Sequence, residues 1–154
     1  MSTHGTRNTT NRAVLSWVDE MVRLCQPDHV FWCNGSAAEK EFLTEQAVES
    51  GVLIRLNQEK LPGCYYHRSN PNDVARVEQC TFICTETEEE AGPTNNWAEP
   101  SAMYATLRTL SRGAMRCRTM FVVPYLMGPP GSPLCKVGLE LTDSLYVALS
   151  MGIM

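Results

Sequence analysis

The chain has 154 residues, enough for one domain around one core, and its 44% hydrophobic and 19% charged residues are the balance of a folded chain. The formal net charge is -4 and no run of Lys and Arg offsets it, which argues against nucleic acid and anionic membranes as partners. An anionic ligand would need a local positive site, so individual arginines are worth following. The seven cysteines (Cys25, Cys33, Cys64, Cys80, Cys84, Cys117 and Cys135) are odd in number, scattered and without a CxxC pair. They read as reduced thiols in a reducing compartment, not as disulfides or zinc ligands. Met1 to Asn11 is polar and lacks a signal-type apolar core, and no apolar run approaches a membrane span. The expectation is a soluble, cytoplasmic protein.

Asn11 to Cys25 reads as a helix, with Val14, Val18, Met21, Val22 and Cys25 on one face and Pro27 as its stop. His29 to Cys33 is a short apolar strand closed by a turn at Asn34-Gly35. Ser36 stands three residues before Glu39, a capping-box spacing, and a second helix runs to Ser50 with Gly51 as its stop. Val52 to Leu56 reads as another strand. Arg68-Ser-Asn-Pro-Asn-Asp73 is a cluster of turn formers.

Thr81 to Thr85 is expected to be a buried strand, followed by an acidic loop from Glu86 to Glu99. Pro100 suits the first turn of a helix to about Arg112, with Gly113 ending it and Glu99 as a weak N-cap. Thr119 to Leu126 is a strand, in which Pro124 marks an edge or the end of pairing. Gly128 to Pro133 is a stiff turn, and Val137 to Leu141 resumes a strand. From Tyr146 onward Val147, Leu149, Met151 and Ile153 alternate with Ala148, Ser150 and Gly152, which predicts a strand still running at Met154. The chain therefore reads as cut from a longer one, with an open strand edge that would favour self-association.

Among residues that could carry chemistry, Arg76 is the strongest anion-site candidate. It follows a tight turn, and its guanidinium can hold a carboxylate through two parallel hydrogen bonds. The plainer alternative is an ion pair with Asp73 or Glu78. Gly128 to Ser132 lacks the GK[ST] ending of a phosphate loop. His4, His29 and His67 have no partner at ligand or triad spacing, and Glu86 to Glu90 reads as a solvated loop rather than a metal site. Read this way, the residues support a soluble α/β domain with one arginine of interest.

Six blocks in order carry a resemblance. They are Arg68-Ser-Asn-Pro-Asn-Asp-Val-Ala-Arg-Val-Glu78, Thr81-Phe-Ile-Cys-Thr85, Ala91-Gly-Pro-Thr-Asn-Asn-Trp97, Arg118-Thr-Met-Phe-Val-Val-Pro124, Met127-Gly-Pro-Pro-Gly-Ser-Pro133 and Leu141-Thr-Asp-Ser144. Together they resemble the N-terminal domain of GTP-dependent phosphoenolpyruvate carboxykinase. Leu24-Cys-Gln-Pro-Asp28 and Cys33-Asn-Gly-Ser36 agree more loosely. The resemblance implies an α/β fold, a mixed β-sheet with flanking helices, in which residues 1–154 form an incomplete N-terminal domain and the catalytic C-terminal domain is absent.

The same resemblance implies the function. The family converts oxaloacetate and GTP to phosphoenolpyruvate, GDP and CO2, a gluconeogenic lyase reaction supported by Mn2+ or Mg2+. Asp73-Val-Ala-Arg76 matches the motif whose arginine holds the substrate carboxylate, and Glu78 matches a glutamate that contacts a mobile lid. The family's metal ligands, phosphate loop, nucleotide pocket and lid lie downstream, so the fragment is expected to bind neither metal nor GTP and to be inactive alone. Three positions depart from the pattern: Cys117 replaces a glycine, Leu145 a proline and Gly152 an arginine. Two other readings remain, a free-standing non-catalytic binding module and a degenerate gene product. Sequence following Met154 in the same frame would separate the enzyme reading from these two.

Overall fold

The computed structural model describes residues 4–7, 9–71 and 77–152. Its centre is a three-stranded sheet in the order β1-β6-β7, made of β1 (His29–Trp32), β6 (Thr119–Met127) and β7 (Lys136–Thr142). β1 runs parallel to β6, pairing His29 with Thr119 through Trp32 with Val122. β7 runs antiparallel to β6, from Phe121 opposite Thr142 to Met127 opposite Lys136. The sheet is therefore mixed, and helices cover both of its faces.

Alternation along the strands assigns the two cores. Val122 and Trp32 point to one face, where they meet Val18, Val14 and Val22 of α1 (Arg12–Cys25). Phe121 and Val123 point to the other, against Leu43 of α2 (Ala37–Glu49) and Ala148 of α4 (Leu145–Met151). Apolar burial on both sides of a continuous strand explains why Met120 to Val123 is an unbroken hydrophobic run. The helix starts obey local rules. Asn11 accepts hydrogen bonds from the Ala13 and Val14 backbones, and Ser36 accepts one from the Glu39 backbone at 3.2 Å.

The remaining elements are small. β2 (Ile54–Arg55) and β3 (Tyr65–Tyr66) form an antiparallel pair, and β4 (Phe82–Ile83) and β5 (Asn96–Trp97) a parallel one. α3 (Pro100–Ser111) lies against α1. Its cap is better than the sequence implied, because the Glu99 carboxylate accepts from the Ser101 and Ala102 backbone N–H groups and from the Ser101 hydroxyl. Those bonds, led by the one from the Ser101 side chain, hold the Glu99 carboxyl below its ordinary pKa.

Three expectations need correction. Leu145–Met151 is a helix, not a strand, and Ile153 and Met154 of the expected strand lie outside the described residues. Ser144 caps it by accepting from the Val147 backbone at 3.3 Å, and Leu145, Ala148 and Leu149 give the i, i+3, i+4 face that packs into the core. Seven residues fit both periods, and the cap decides between them. This removes the open strand edge as a reason for self-association, and it places Gly152 at the helix C-cap and Leu145 at its first position, where proline is also favoured. Thr81 to Thr85 yields only β4, and Phe82 and Ile83 remain 41% and 40% exposed, so the strand is not buried. Val52 to Leu56 likewise shrinks to two paired residues. Pro124, by contrast, does mark an end of pairing: β6 continues against β7 to Met127, but not against β1. The Cys33 N–H donates to the Val122 carbonyl at 2.9 Å, so Val122 and, two residues on, Pro124 face the β1 side. Pairing with β1 ends at Val122, and the N–H that proline lacks has no strand to meet.

Cys117 adopts a left-handed backbone, φ 61°, while its N–H donates to the Asp28 carboxylate at 3.0 Å. A Cβ is disfavoured there, and glycine is not. Cys117→Gly is therefore expected to raise stability by about 0.5–1 kcal/mol despite the added freedom of the unfolded chain. A urea midpoint equal to or below that of the parent would contradict this.

Candidate functional site

Arg76, with Asp73-Val-Ala before it, lies outside the described residues, but the chain on both sides of it is tethered. On the near side, β3 hands over to His67, whose Nδ1 sits 2.7 Å from the Val52 carbonyl. A carbonyl can only accept, so Nδ1 carries the proton. The His67 ring also stacks on Tyr146, with centroids 3.9 Å apart, which ties this strand to α4. The histidine that showed no partner in the sequence is thus structural, joining segments far apart in the chain.

On the far side, Glu78 opens a 3-10 turn, Glu78–Cys80. The Asn96 side-chain amide donates to the Glu78 carbonyl at 2.7 Å and to the Thr81 carbonyl at 3.1 Å. Next to it, Trp97 Nε1 donates to the Thr85 carbonyl at 3.1 Å. These bonds explain the paired asparagines before Trp97 in chemical terms: Asn96 pins the chain just after the arginine motif, and Asn95 donates to the Ala91 carbonyl at 2.7 Å within its own loop. Glu78 itself is exposed, its carboxylate free of any ion pair among the described residues. The acidic run forms a 3-10 turn, Glu88–Ala91, closed by a reciprocal Thr87–Glu90 capping box.

A separate cavity of about 170 Å3 lies at the end of β1, between α2 and α4, lined in part by Cys33, Glu39, Lys40, Val123 and Met151. Glu39 is only 3% exposed. Both of its oxygens accept from the Asn34 N–H at 2.9 Å, and one accepts from the Gly35 N–H at 3.0 Å. The capping-box spacing was real, but the carboxylate reaches past Ser36 to the two residues before it. Ser36 N–H instead donates to the Asn34 side chain at 2.8 Å. Burial, and then the nearby Glu39 charge, push the Cys33 thiol up to about 12. It stays protonated at neutral pH and is no nucleophile.

All seven cysteines are free thiols. Among the described residues no three His, Cys, Asp or Glu side chains gather as a metal site, and no helix is long and apolar enough to cross a membrane. The described residues on either side of 72–76 are thus held by hydrogen bonds to distant parts of the chain.

Comparison with known proteins places the chain in a family. The family model for the phosphoenolpyruvate carboxykinase N-terminal domain matches residues 16–154. Phosphoenolpyruvate carboxykinase (GTP) of Anaeromyxobacter dehalogenans (strain 2CP-C) is 62% identical over 148 residues, covering 96% of this chain and 25% of the relative. The protein of the same name from Corynebacterium efficiens is 52% identical over 150 residues, covering 97% of this chain and 24% of the relative. That of Neocallimastix frontalis is 48% identical over 151 residues, covering 98% and 25%. The chain spans about a quarter of the length of the curated relatives it matches.

Proposed function

Because this chain belongs to the phosphoenolpyruvate carboxykinase N-terminal domain family, we propose that it is the part of a GTP-dependent carboxykinase that holds the substrate carboxylate. The full reaction in this reading converts oxaloacetate and GTP to phosphoenolpyruvate, GDP and CO2. The observation that carries the proposal is identity of 48–62% over nearly the whole chain to proteins bearing that name.

Arg76 is the assigned substrate contact. Oxaloacetate is a dianion. A guanidinium gripping one carboxylate in two parallel hydrogen bonds fixes the molecule, so that the other carboxylate leaves as CO2 and the enolate oxygen is placed to attack the γ-phosphoryl group of GTP. Tethering on both sides of the motif, through His67 before it and Asn96 after it, supports such a positioning role. Glu78, exposed and two residues on from Arg76, is assigned as a contact for a closing lid. No group of three His, Cys, Asp or Glu side chains among the described residues could hold the divalent ion implied by the family, and no step is assigned to it or to GTP on this chain.

The test uses a chimera in which these 154 residues replace the matching quarter of the Anaeromyxobacter dehalogenans relative. The chimera is expected to form phosphoenolpyruvate from oxaloacetate, GTP and Mn2+, and the isolated chain to show no turnover above a heat-killed control. A folded but inactive chimera, or an active isolated chain, would overturn the reading.

A further inference from the structure

The sequence contains no run of basic residues, yet the fold assembles one. α1 and α3 meet along a cleft of about 320 Å3 lined by Glu20, Arg23, Leu24, Gln26, Arg108 and Arg112. Three guanidinium groups there face one carboxylate, in a chain whose net charge is -4. Arg108 is committed, its Nη1 lying 2.6 Å from Glu20 Oε1. A fourth arginine, Arg116, stands beside the cleft and donates from Nε to the Gln26 side-chain oxygen at 2.7 Å.

Arg23 and Arg112 engage no carboxylate among the described residues. Cations near a helix C-terminus often serve its terminal carbonyls, but here those carbonyls are occupied. Val22, Leu24 and Cys25 accept from the backbone N–H groups of Gln26, Gly113 and Met115 at 2.9, 2.8 and 2.9 Å. Arg23 and Arg112 thus line one concave surface with no ion pair of their own among the described residues, Glu20 being taken by Arg108, and like charges on one surface favour an anion.

We propose that this cleft binds a small oxyanion, a phosphate or carboxylate group, held between Arg23 and Arg112 with Arg108 fixed at its side by Glu20. Guanidinium forks match such groups with paired hydrogen bonds, and the size of the cleft limits the ligand to a small molecule. The cleft lies within the family match but uses no residue of the Arg76 motif, so its test does not depend on the Arg76 reading.

The experiment is an NMR titration of the 15N-labelled chain with inorganic phosphate and, separately, citrate, with ionic strength held constant by NaCl. Saturable shifts are expected at the Arg23 and Arg112 Nε–H signals and in the backbone of residues 20–26 and 108–113. Saturation by phosphate alone assigns a phosphoryl ligand, by citrate alone a polycarboxylate, and by both a general oxyanion site. The double variant Arg23→Gln/Arg112→Gln is expected to weaken binding at least about tenfold. Both side chains are exposed, so its spectrum should otherwise match the parent, and Lys60→Gln should change nothing. No saturable shift with either anion, a response equalled by NaCl, or unchanged affinity in the double variant would overturn the proposal.

Discussion

Arg76→Ala, placed in the active chimera, is expected to raise the KM for oxaloacetate and to lower kcat/KM for it by about 30-fold or more, while the KM for GTP hardly moves. The figure follows from the roughly 2–5 kcal/mol lost when a desolvated, bidentate charged contact is truncated. Arg76→Lys should fall between the two, because lysine restores the charge but not the planar fork. If the plainer ion pair with Asp73 or Glu78 were the true role, the alanine variant would lose stability and keep its oxaloacetate kinetics. Steady-state kinetics beside a thermal melt separate the two outcomes.

The largest stability effect is expected at Glu39. Its buried carboxylate is the acceptor for the N–H groups of Asn34 and Gly35, the turn that carries the chain from β1 into α2. Glu39→Ala leaves two part-buried donors without a partner and widens the adjoining cavity, so it should cost roughly 2–3 kcal/mol. Glu39→Gln keeps the shape and one acceptor oxygen, and should lose about half as much. Denaturant unfolding measures both. A Glu39→Ala chain within about 0.5 kcal/mol of the parent would mean that water entering the cavity replaces the carboxylate.

These two residues also mark how far a sequence can be read. Helix starts at Asn11, Ser36 and Glu99 depend on bonds within three residues; Ser36 and Glu99 read as caps in the sequence, whereas Asn11 reads as the first helical residue. Even so, the spacing of Ser36 and Glu39 did not reveal that the carboxylate serves Asn34 and Gly35, since that depends on how the turn folds back. The C-terminal segment reads as a strand because seven residues satisfy two periods, and the Ser144 cap together with packing against Val123 and Phe121 selects the helix. Burial of Thr81 to Thr85 was overestimated because apolar composition does not say whether anything covers it. The turn before Arg76 singles it out in the sequence, whereas its role as a carboxylate contact comes only from the motif. The gathering of Arg23 with Arg108 and Arg112 left no local signal at all, being a product of α1 meeting α3 across more than eighty positions.

The parallel pairing of β1 with β6 also governs when this domain can form during synthesis. Trp32 and Val122 are neighbours in space, yet roughly ninety residues are made between them. At about 5–20 residues per second, β1 and the apolar face of α1 must wait several seconds without their central strand. In that interval the nascent chain holds an α-helix, an unpaired apolar strand and a second helix, with no sheet to cover either helix face. Closing so long a loop before the core rewards it makes folding slow and non-local. The early third of the polypeptide is therefore the part most in need of protection by a chaperone while the ribosome is still working.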